Sequence, residues 1–176
     1  MHEPTTANEP RIGVRPRTDA DLEACERVAR EVHLLDGYPP YLPNGDYRWL
    51  LTKPEAIAAF VAIDRDDLVG HVALHPPFLG PATKLVTTTL GVEPAELGIV
   101  ARLFVAPTCR GKGAGWLLLD TATTAARDRG LVPVLDVWTE LRAAIALYDN
   151  AGWRRLGTVD ARLPDGSTFP EYVYVA

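Results

Sequence analysis

The amino-acid sequence predicts one α/β (α+β) domain organised around a single mixed sheet. Its 176 residues match the size of one ordinary domain. Hydrophobic residues make up 47% of the chain, and none of its apolar stretches approaches the ~20 residues of a membrane helix. Segments with strand and helix periodicity alternate along the chain, as in domains whose helices pack on one sheet. We expect residues 11–176 to form this domain and the polar residues 1–10 to form a flexible tail.

The first part of the chain predicts a strand followed by a helix. Residues 12–15 alternate in the manner of a short strand, and Thr18 stands three residues before Asp21 in a variant of the capping box. Apolar residues then recur every three or four positions until Gly37, which predicts one amphipathic helix. The members of this apolar stripe are Leu22, Cys25, Val28, Val32 and Leu35.

The middle of the chain predicts an aromatic loop, two paired strands and a further extended segment. Tyrosine, tryptophan, proline and glycine are interleaved over residues 36–50, which favours a stiff surface loop. Residues 56–63 and 68–74 are predicted as antiparallel strands joined by a turn, with a helical start over 55–60 as the alternative. Threonine and valine dominate residues 84–90, which predicts another strand or an extended flap.

The last part of the chain predicts alternating strands and helices. Residues 97–105 are apolar on both faces with Arg102 as their only charge, as expected of a strand in mid-sheet. A helical pattern over 117–129 follows and ends at Gly130. The remaining predicted elements are a strand over 132–139, a helix over 142–150, and strands over 153–160 and 169–175 around a turn at 164–166.

Charge and cysteine content disfavour several classes of protein. The net charge of −5 argues against nucleic acid or an anionic membrane as partner, since both need a basic surface, and it suits an amine substrate. Cys25 and Cys109 form no CxxC pair and have no neighbouring histidine, so we expect no metal site. One buried small side chain and one loop thiol are more typical of such a pair than a disulfide. Since residues 1–10 contain no apolar block, we expect a cytoplasmic protein.

Residues 110–115 have the composition of a phosphate-binding loop. This segment, Arg-Gly-Lys-Gly-Ala-Gly, lies between a buried strand and a helix, where backbone N–H groups converge on an anion at the helix N-terminus. Arg110 and Lys112 add positive charge. A P-loop would need Ser or Thr at Gly113 and a dinucleotide fingerprint would need glycine at Trp116, so neither motif fits. A glycine-rich turn with a solvated basic pair is the alternative.

This loop and a segment further along the chain resemble the GNAT acetyltransferase superfamily. Residues 103–107 followed by 110–115 are similar to the strand end and the Q/R-x-x-G-x-G/A signature that bind acyl-CoA in that family. Leu-Asp-Val at 135–137 and the A-x-x-L-Y pattern at 144–148, followed by Gly-Trp, resemble the family's next strand and helix. Leu141 departs from the pattern, since many members have Asn there.

The resemblance implies a mostly antiparallel sheet with two splayed central strands, flanked by helices, and acetyl-CoA as co-substrate. In the family the pantetheine arm pairs with the strand end like an extra strand, and the pyrophosphate lies over the glycine loop. A backbone N–H near Val105 would polarise the thioester carbonyl. The cofactor-binding residues so implied are Leu103, Phe104, Val105, Arg110, Gly111, Lys112, Gly113, Ala114, Gly115 and Trp116.

Acetyl transfer to an amine also needs groups that accept and donate protons. The resemblance assigns the general acid to Tyr148, whose family counterpart points its hydroxyl at the CoA sulfur; an aromatic anchor is the alternative role. Some members carry a carboxylate at the position of Asp136, which makes that residue a candidate base, and Glu96 is the alternative base. His71 and His75 are further candidates, although strand histidines are more often structural, and solvent is the last alternative.

The sequence therefore predicts an acetyl-CoA-dependent N-acetyltransferase that acts on the primary amine of a small molecule. A peptide or protein N-terminus is the alternative acceptor, and a non-catalytic acyl-CoA sensor is the alternative of another class. The loop residues Tyr38, Tyr41 and Trp49 are candidates to enclose the amine by cation–π contact, with a packed lid as the alternative. Residues 172–175 are a candidate for strand pairing across a homodimer.

Overall fold

A computed structural model describes residues 12–176 as an open sheet flanked by helices; the tail predicted over 1–10 lies outside the described residues. The strands are β1 (Ile12–Pro16), β2 (Ala58–Asp64), β3 (Asp67–His75), β4 (Leu97–Val105), β5 (Val132–Trp138), β6 (Arg154–Arg162) and β7 (Thr168–Val175). The helices are α1 (Leu22–Asp36), α2 (Tyr47–Leu51), α3 (Pro81–Leu90), α4 (Ala114–Arg127) and α5 (Arg142–Asn150). The described strands form one sheet in the order β1-β2-β3-β4-β5-β7-β6. Neighbours are antiparallel except β4 and β5, so the predicted mixed, mostly antiparallel sheet is confirmed.

The predicted first strand and first helix are confirmed, and a capping box joins them. The Asp21 carboxylate accepts the backbone N–H of Thr18 at 2.7 Å and its hydroxyl at 3.0 Å. Arg15 donates to both oxygens of the same carboxylate at 2.7 Å, and this bond holds the pKa of Asp21 far below its usual range. The helix ends at Gly37, which has a φ of 71°. Leu35, from the predicted apolar stripe, is 62% exposed because it lines an open cleft.

The prediction of a strand or flap over 84–90 is wrong, because this segment belongs to α3. Pro81 stands in the first turn of the helix, where backbone N–H groups have no partner within the helix, so its missing N–H costs no hydrogen bond. Gly91 ends the helix with a φ of 69°. Thr83 and Val86 are buried on the side that packs against β6 and β7, and this packing outweighs the strand preference of threonine and valine. The alternative of a helical start over 55–60 is also wrong, since β2 begins there. Within residues 12–176, no helix is both long and apolar enough to cross a membrane.

Successive residues of β4 contact different helices. Gly98 faces α4, where an added methyl group would lie 3.3 Å from the Cβ of Ala126. Ile99 packs instead with Val86 of α3 in a separate apolar cluster. Because successive strand side chains point to opposite faces, α3 and α4 cover opposite faces of the sheet. The core therefore lies on both sides of β4.

The terminal strand β7 lies inside the sheet and not at its edge. It pairs with β5 on one side and with β6 on the other. Both of its hydrogen-bonding edges are thus used within the chain. The prediction that residues 172–175 pair across a homodimer is therefore wrong.

Candidate active site

A cleft opens where β4 and β5 separate. In the described part of the chain, three residue pairs join the two strands, ending at Ile99 and Val134. Beyond these pairs the strands diverge, and the space between them belongs to a cleft of about 930 Å³. Residues from the ends of both strands line it, together with the segment after α1 and the first turns of α4 and α5. The predicted splaying of the two central strands is confirmed.

The strand β4 carries a bulge beside this cleft. The pairing of β3 with β4 shifts register between His71 and Ala73, so that Arg102 and Leu103 together oppose one residue of β3. Arg102 has a φ of 57°, in the left-handed region that side chains rarely adopt. The bulge re-aims the end of the strand, and the three residues after Arg102 all line the cleft: Leu103, Phe104 and Val105.

A buried histidine fastens the bulge. The Nδ1 atom of His71 lies 2.9 Å from the carbonyl oxygen of Arg102, and Nε2 lies 3.2 Å from Nη1 of Arg17. Since a carbonyl only accepts and a guanidinium only donates, His71 is neutral with its proton on Nδ1. Burial lowers the pKa of His71 to about 3, which agrees with a neutral ring. Both ring nitrogens are engaged, so His71 is a structural residue.

The other alternative bases are also placed away from the cleft lining. The Glu96 carboxylate accepts the backbone N–H of Glu93 at 2.7 Å in a local cap at the start of β4, whereas the cleft opens at the other end of that strand. His75 is buried, and its ring lies beside that of Phe78 at a tilt of 39°, with ring centroids 5.8 Å apart. Burial lowers the pKa of His75 to about 4. The structure brings neither residue together with Asp136.

The glycine loop meets the cleft at the start of α4. Gly111 and Gly113 have φ values of 74° and 92°, which favour glycine. Gly113 is the N-cap of α4, so the first backbone N–H groups of the helix have no partner within it and mark its positive end. Gly111, Gly113 and Gly115 line the cleft, whereas Lys112 and Ala114 do not. The loop therefore offers backbone N–H groups to an anion more directly than it offers a lysine.

Arg110 holds the glycine loop against the end of α1. Its guanidinium forms a bidentate ion pair with the Asp36 carboxylate, with Nη1 and Oδ1 3.3 Å apart, and its Nε donates to the Val105 carbonyl oxygen at 3.4 Å. Its charge is thus shared with Asp36. Trp116, in the first turn of α4, also lines the cleft, and 51% of this residue is exposed.

Tyr148 also lines the cleft, and it lies on α5, the helix that follows β5. It is only 6% exposed, and its ring packs against Trp153 and Tyr174 at centroid distances of 6.3 and 5.7 Å. Burial raises the pKa of Tyr148 far above its ordinary value, and nearby Tyr38 and Asp136 add to the rise. The hydroxyl is therefore protonated at neutral pH and able to donate.

Asp136 lines the cleft together with a second carboxylate, Glu171 of β7, which the sequence analysis missed. Asp136 is paired with Val173 and Glu171 with Trp138, so the two acids are diagonal neighbours on one face of the sheet. Asp136 faces the water of the cleft, while protein surrounds it on its other sides. This burial raises the pKa of Asp136, against the opposing charge of Arg102. Burial, reinforced by the charge of Asp136, raises the pKa of Glu171 to about 8.

The three aromatic residues predicted at the acceptor end all line the cleft, and Trp49 lies on α2 where a loop was expected. Tyr41 and Trp49 meet edge to face, with ring centroids 6.5 Å apart. The Nζ atom of Lys53 lies 3.3 Å from the Trp49 ring centroid, so a protein cation already covers one face of that ring. Burial raises the pKa of Tyr38, and the charge of Arg102 opposes the rise.

The arrangement suits an extended acyl thioester. The diverging strands expose backbone edges along which an arm can lie, the start of α4 can hold a phosphate group, and a proton donor and two carboxyls lie near the point of divergence. Fold and site together define an acyltransferase. The chain belongs to the acetyltransferase (GNAT) family, whose family model matches residues 22–153.

Individual relatives agree with this assignment. The chain is 28% identical over 152 residues to the N-alpha-acetyltransferase RimI of Mycobacterium tuberculosis (strain ATCC 25618 / H37Rv). The aligned residues make up 86% of this chain and 84% of the relative. The crystal structure of Arabidopsis thaliana NAA60 in complex with a bisubstrate analogue matches with a TM-score of 0.70 at 20% identity, over 94% of this chain and 97% of that one. A GCN5-related N-acetyltransferase from Kribbella flavida matches with a TM-score of 0.67 at 24% identity, over 94% and 97%. The structural likeness confirms the fold.

Proposed function

We propose that the protein transfers an acetyl group from acetyl-CoA to the primary amine of a small molecule, by direct attack in a ternary complex. One observation carries the proposal: a single cleft reaches from the backbone N–H groups at the start of α4 to Tyr148 and the Asp136–Glu171 carboxyls. An anion site and proton carriers in one continuous space are what transfer from a CoA thioester requires.

Acetyl-CoA would bind along β4 and the glycine loop. The pantetheine arm would pair with the backbone of Leu103, Phe104 and Val105, which lies at the cleft where β5 has diverged. The pyrophosphate would accept bonds from N–H groups between Gly111 and Trp116. Leu141, the N-cap of α5, places an apolar side chain on the cleft where many family members have Asn, so that position offers no side-chain hydrogen bond here.

The chemistry would divide between three groups. The unprotonated amine attacks the thioester carbonyl, and a backbone N–H at the end of β4 stabilises the oxygen that gains charge. Asp136 accepts the proton that the nitrogen loses. Tyr148 donates a proton to the departing thiolate. The new C–N bond thus replaces the C–S bond, and free CoA leaves as the thiol.

The acceptor end of the cleft favours a compact amine that arrives as its cation and loses one proton to solvent before it attacks. Two carboxyls lie at its floor, and aromatic side chains form its walls, including Tyr38, Tyr41 and Trp138. A peptide or protein N-terminus is the second candidate acceptor, because the 28% identity with N-alpha-acetyltransferase RimI extends over 86% of this chain.

The test is an acceptor panel in a thiol-release assay with acetyl-CoA. The panel contains small primary amines and amino acids, short peptides with a free N-terminus, and the same peptides with a blocked N-terminus as controls. Turnover on small amines at least tenfold above that on peptides, in kcat/KM, is the expected result. The reverse ranking would assign the protein N-terminus as acceptor. Tight acetyl-CoA binding by calorimetry without turnover on any amine would replace the enzyme by an acyl-CoA sensor.

A further inference from the structure

Asp136 and Glu171 lie on neighbouring strands at the floor of the cleft. Their register makes them diagonal partners across β5 and β7, at about 7 Å between Cα atoms and within reach of each other's side chains. Glu171 lies between Phe169 and Val173 in the alternating pattern, so it points to the same face as these apolar residues. A carboxyl in an inward-facing position has a desolvation cost, which marks it for a function.

A second, smaller cavity of about 210 Å³ adjoins the main cleft at these two residues. Its walls come from the loop before α3, from α3 itself, and from β5, β6 and β7. Asp136 and Glu171 are on the boundary between the two cavities, since both residues line both of them. Arg162 of β6, an exposed residue, also lines the smaller cavity. This cavity is large enough to hold several waters and has polar side chains to bind them.

The groups that face the pair from the surrounding elements affect how readily each carboxyl ionises. The positive charge of Arg102 on β4 acts on Asp136, and Tyr38 of the segment after α1 and Tyr148 of α5 also interact with the pair. Burial raises the pKa of Asp136 and the charge of Arg102 opposes this rise, whereas burial and the charge of Asp136 both raise the pKa of Glu171, to about 8. With a pKa near 8, Glu171 holds a proton at neutral pH.

We propose that Glu171 is a proton-relay residue: it accepts the amine proton from Asp136 and releases its own proton to water in the smaller cavity. This inference rests on the proposed function. In the balanced step, the nitrogen loses its proton to Asp136 as the C–N bond forms and the C–S bond breaks. Tyr148 protonates the thiolate and regains a proton from solvent after CoA has left. Asp136 passes its proton to Glu171, and the side cavity carries a proton away from the acyl group, so the base is regenerated while the products occupy the main cleft.

The test is the pH dependence of kcat and kcat/KM for wild type and Glu171→Gln, measured by thiol release on the best amine of the panel. Glu171 already holds a proton at the pH where Asp136 ionises, so Gln matches its charge there and the acidic limb of kcat/KM is expected to stay in place, which shows that Asp136 remains intact as the base. Loss of the relay is expected to lower kcat at the plateau about tenfold. Glu171→Asp keeps a carboxyl and is expected to restore most of kcat.

Asp160→Asn is the matched control, because it removes one negative charge from the exposed side of the neighbouring strand β6, outside both cavities. Asp160→Asn is expected to leave the acidic limb of kcat/KM and the plateau value of kcat as in wild type. A kcat within about twofold of wild type for Glu171→Gln, or a Glu171→Asp variant that recovers none of the lost kcat, would overturn the relay while the proposed function stands. A wild-type enzyme that acetylates no amine would overturn both.

Discussion

Tyr148 shows how packing fixes the state of a single reactive group. Trp153 and Tyr174 press against its ring, so that turning the side chain away from the cleft would lose apolar contact. Burial keeps the hydroxyl protonated at neutral pH, which is the form that can donate to a thiolate. We therefore expect its contribution in kcat and not in the binding of acetyl-CoA.

Tyr148→Phe removes the hydroxyl and keeps the ring in its packing. We expect kcat to fall about a hundredfold, a typical contribution of a general acid, with the Kd of acetyl-CoA changed by less than about twofold. Thiol release and calorimetry measure the two quantities. Tyr172→Phe is the control, since Tyr172 of β7 lies outside the cleft lining, with its ring covered by the guanidinium of Arg155 from β6. Equal losses in the two variants would show that Tyr148 acts only as an anchor.

His71 makes the stability of the fold depend on pH. Its pKa is lowered to about 3 in the folded protein and lies near 6.5 in the unfolded chain, so the unfolded chain binds more protons between these values. Stability contributed by the neutral ring is complete above pH 6.5 and is lost as the pH falls toward 3. Between pH 7 and pH 5 this single residue is expected to remove about 2 kcal/mol from the free energy of unfolding.

Urea unfolding at the two pH values, for wild type and His71→Gln, measures this contribution. Gln can still bond to the Arg102 carbonyl but does not titrate, so the variant is expected to be less stable at pH 7 and to lose about 2 kcal/mol less on acidification. Subtracting the loss of unfolding free energy in His71→Gln from the loss in wild type cancels the pH-dependent contributions of Asp136, Glu171 and His75, which both proteins share. An identical loss in both proteins would contradict the assignment of a neutral, buried His71.

At the scale of elements, the glycine loop and the cap of α3 share one backbone conformation but serve different purposes. Gly111 has a φ of 74° and Gly91 a φ of 69°, and at both positions an added methyl group would meet no atom of the described residues within 4 Å. Alanine is therefore strained equally at the two sites. Gly111 lines the cleft, however, whereas Gly91 ends a helix elsewhere.

Gly111→Ala and Gly91→Ala are accordingly expected to lose similar stability, about 1 kcal/mol each in urea unfolding. Gly111→Ala alone should weaken acetyl-CoA binding, about tenfold by calorimetry, because its methyl group projects into the space where phosphate oxygens would approach the backbone. Equal affinity of the two variants for acetyl-CoA would place the phosphates elsewhere than on this loop.

Elements with a local signal were predictable, and elements defined by tertiary packing were not. The capping box at Thr18 and the stop at Gly37 set the limits of α1 within the chain itself. Residues 84–90 instead carry a strand-like composition, and packing on β6 and β7 makes them helical. Proline at 81 and glycine at 91 were the available signals, and they outrank composition at helix ends.

The candidate site shows the same division. The glycine loop and Tyr148 were predictable because each belongs to a contiguous motif. Glu171 was missed because the register of β7 against β5 is what places it beside Asp136, and a sequence does not show that register. A carboxylate between Phe169 and Val173 was nevertheless a visible break in an apolar face. Arg102 was noticed only as the single charge of its strand, since a bulge depends on the pairing partner.

At the scale of the whole molecule, the sheet consists of two parts that meet at a short seam. β1 to β4 form one part, and β5, β7 and β6 form the other, with three residue pairs between β4 and β5 in the described structure. The helix α4 contacts strands of both parts. A ligand that fills the cleft would add contacts across the seam, so its binding should stabilise the folded chain as a whole.

Acetyl-CoA is therefore expected to raise the Tm in proportion to its binding free energy. At a concentration a hundredfold above Kd, a single site adds about 2.7 kcal/mol, which for a chain of this length corresponds to a rise of roughly 5–10 °C. Pantetheine and adenosine 3′,5′-bisphosphate are the matched probes, because each reaches only one end of the cleft. Differential scanning fluorimetry over a concentration series should show a larger shift for acetyl-CoA than for the two fragments added together. Fragments that match its effect at equal concentration would mean that no ligand spans the seam.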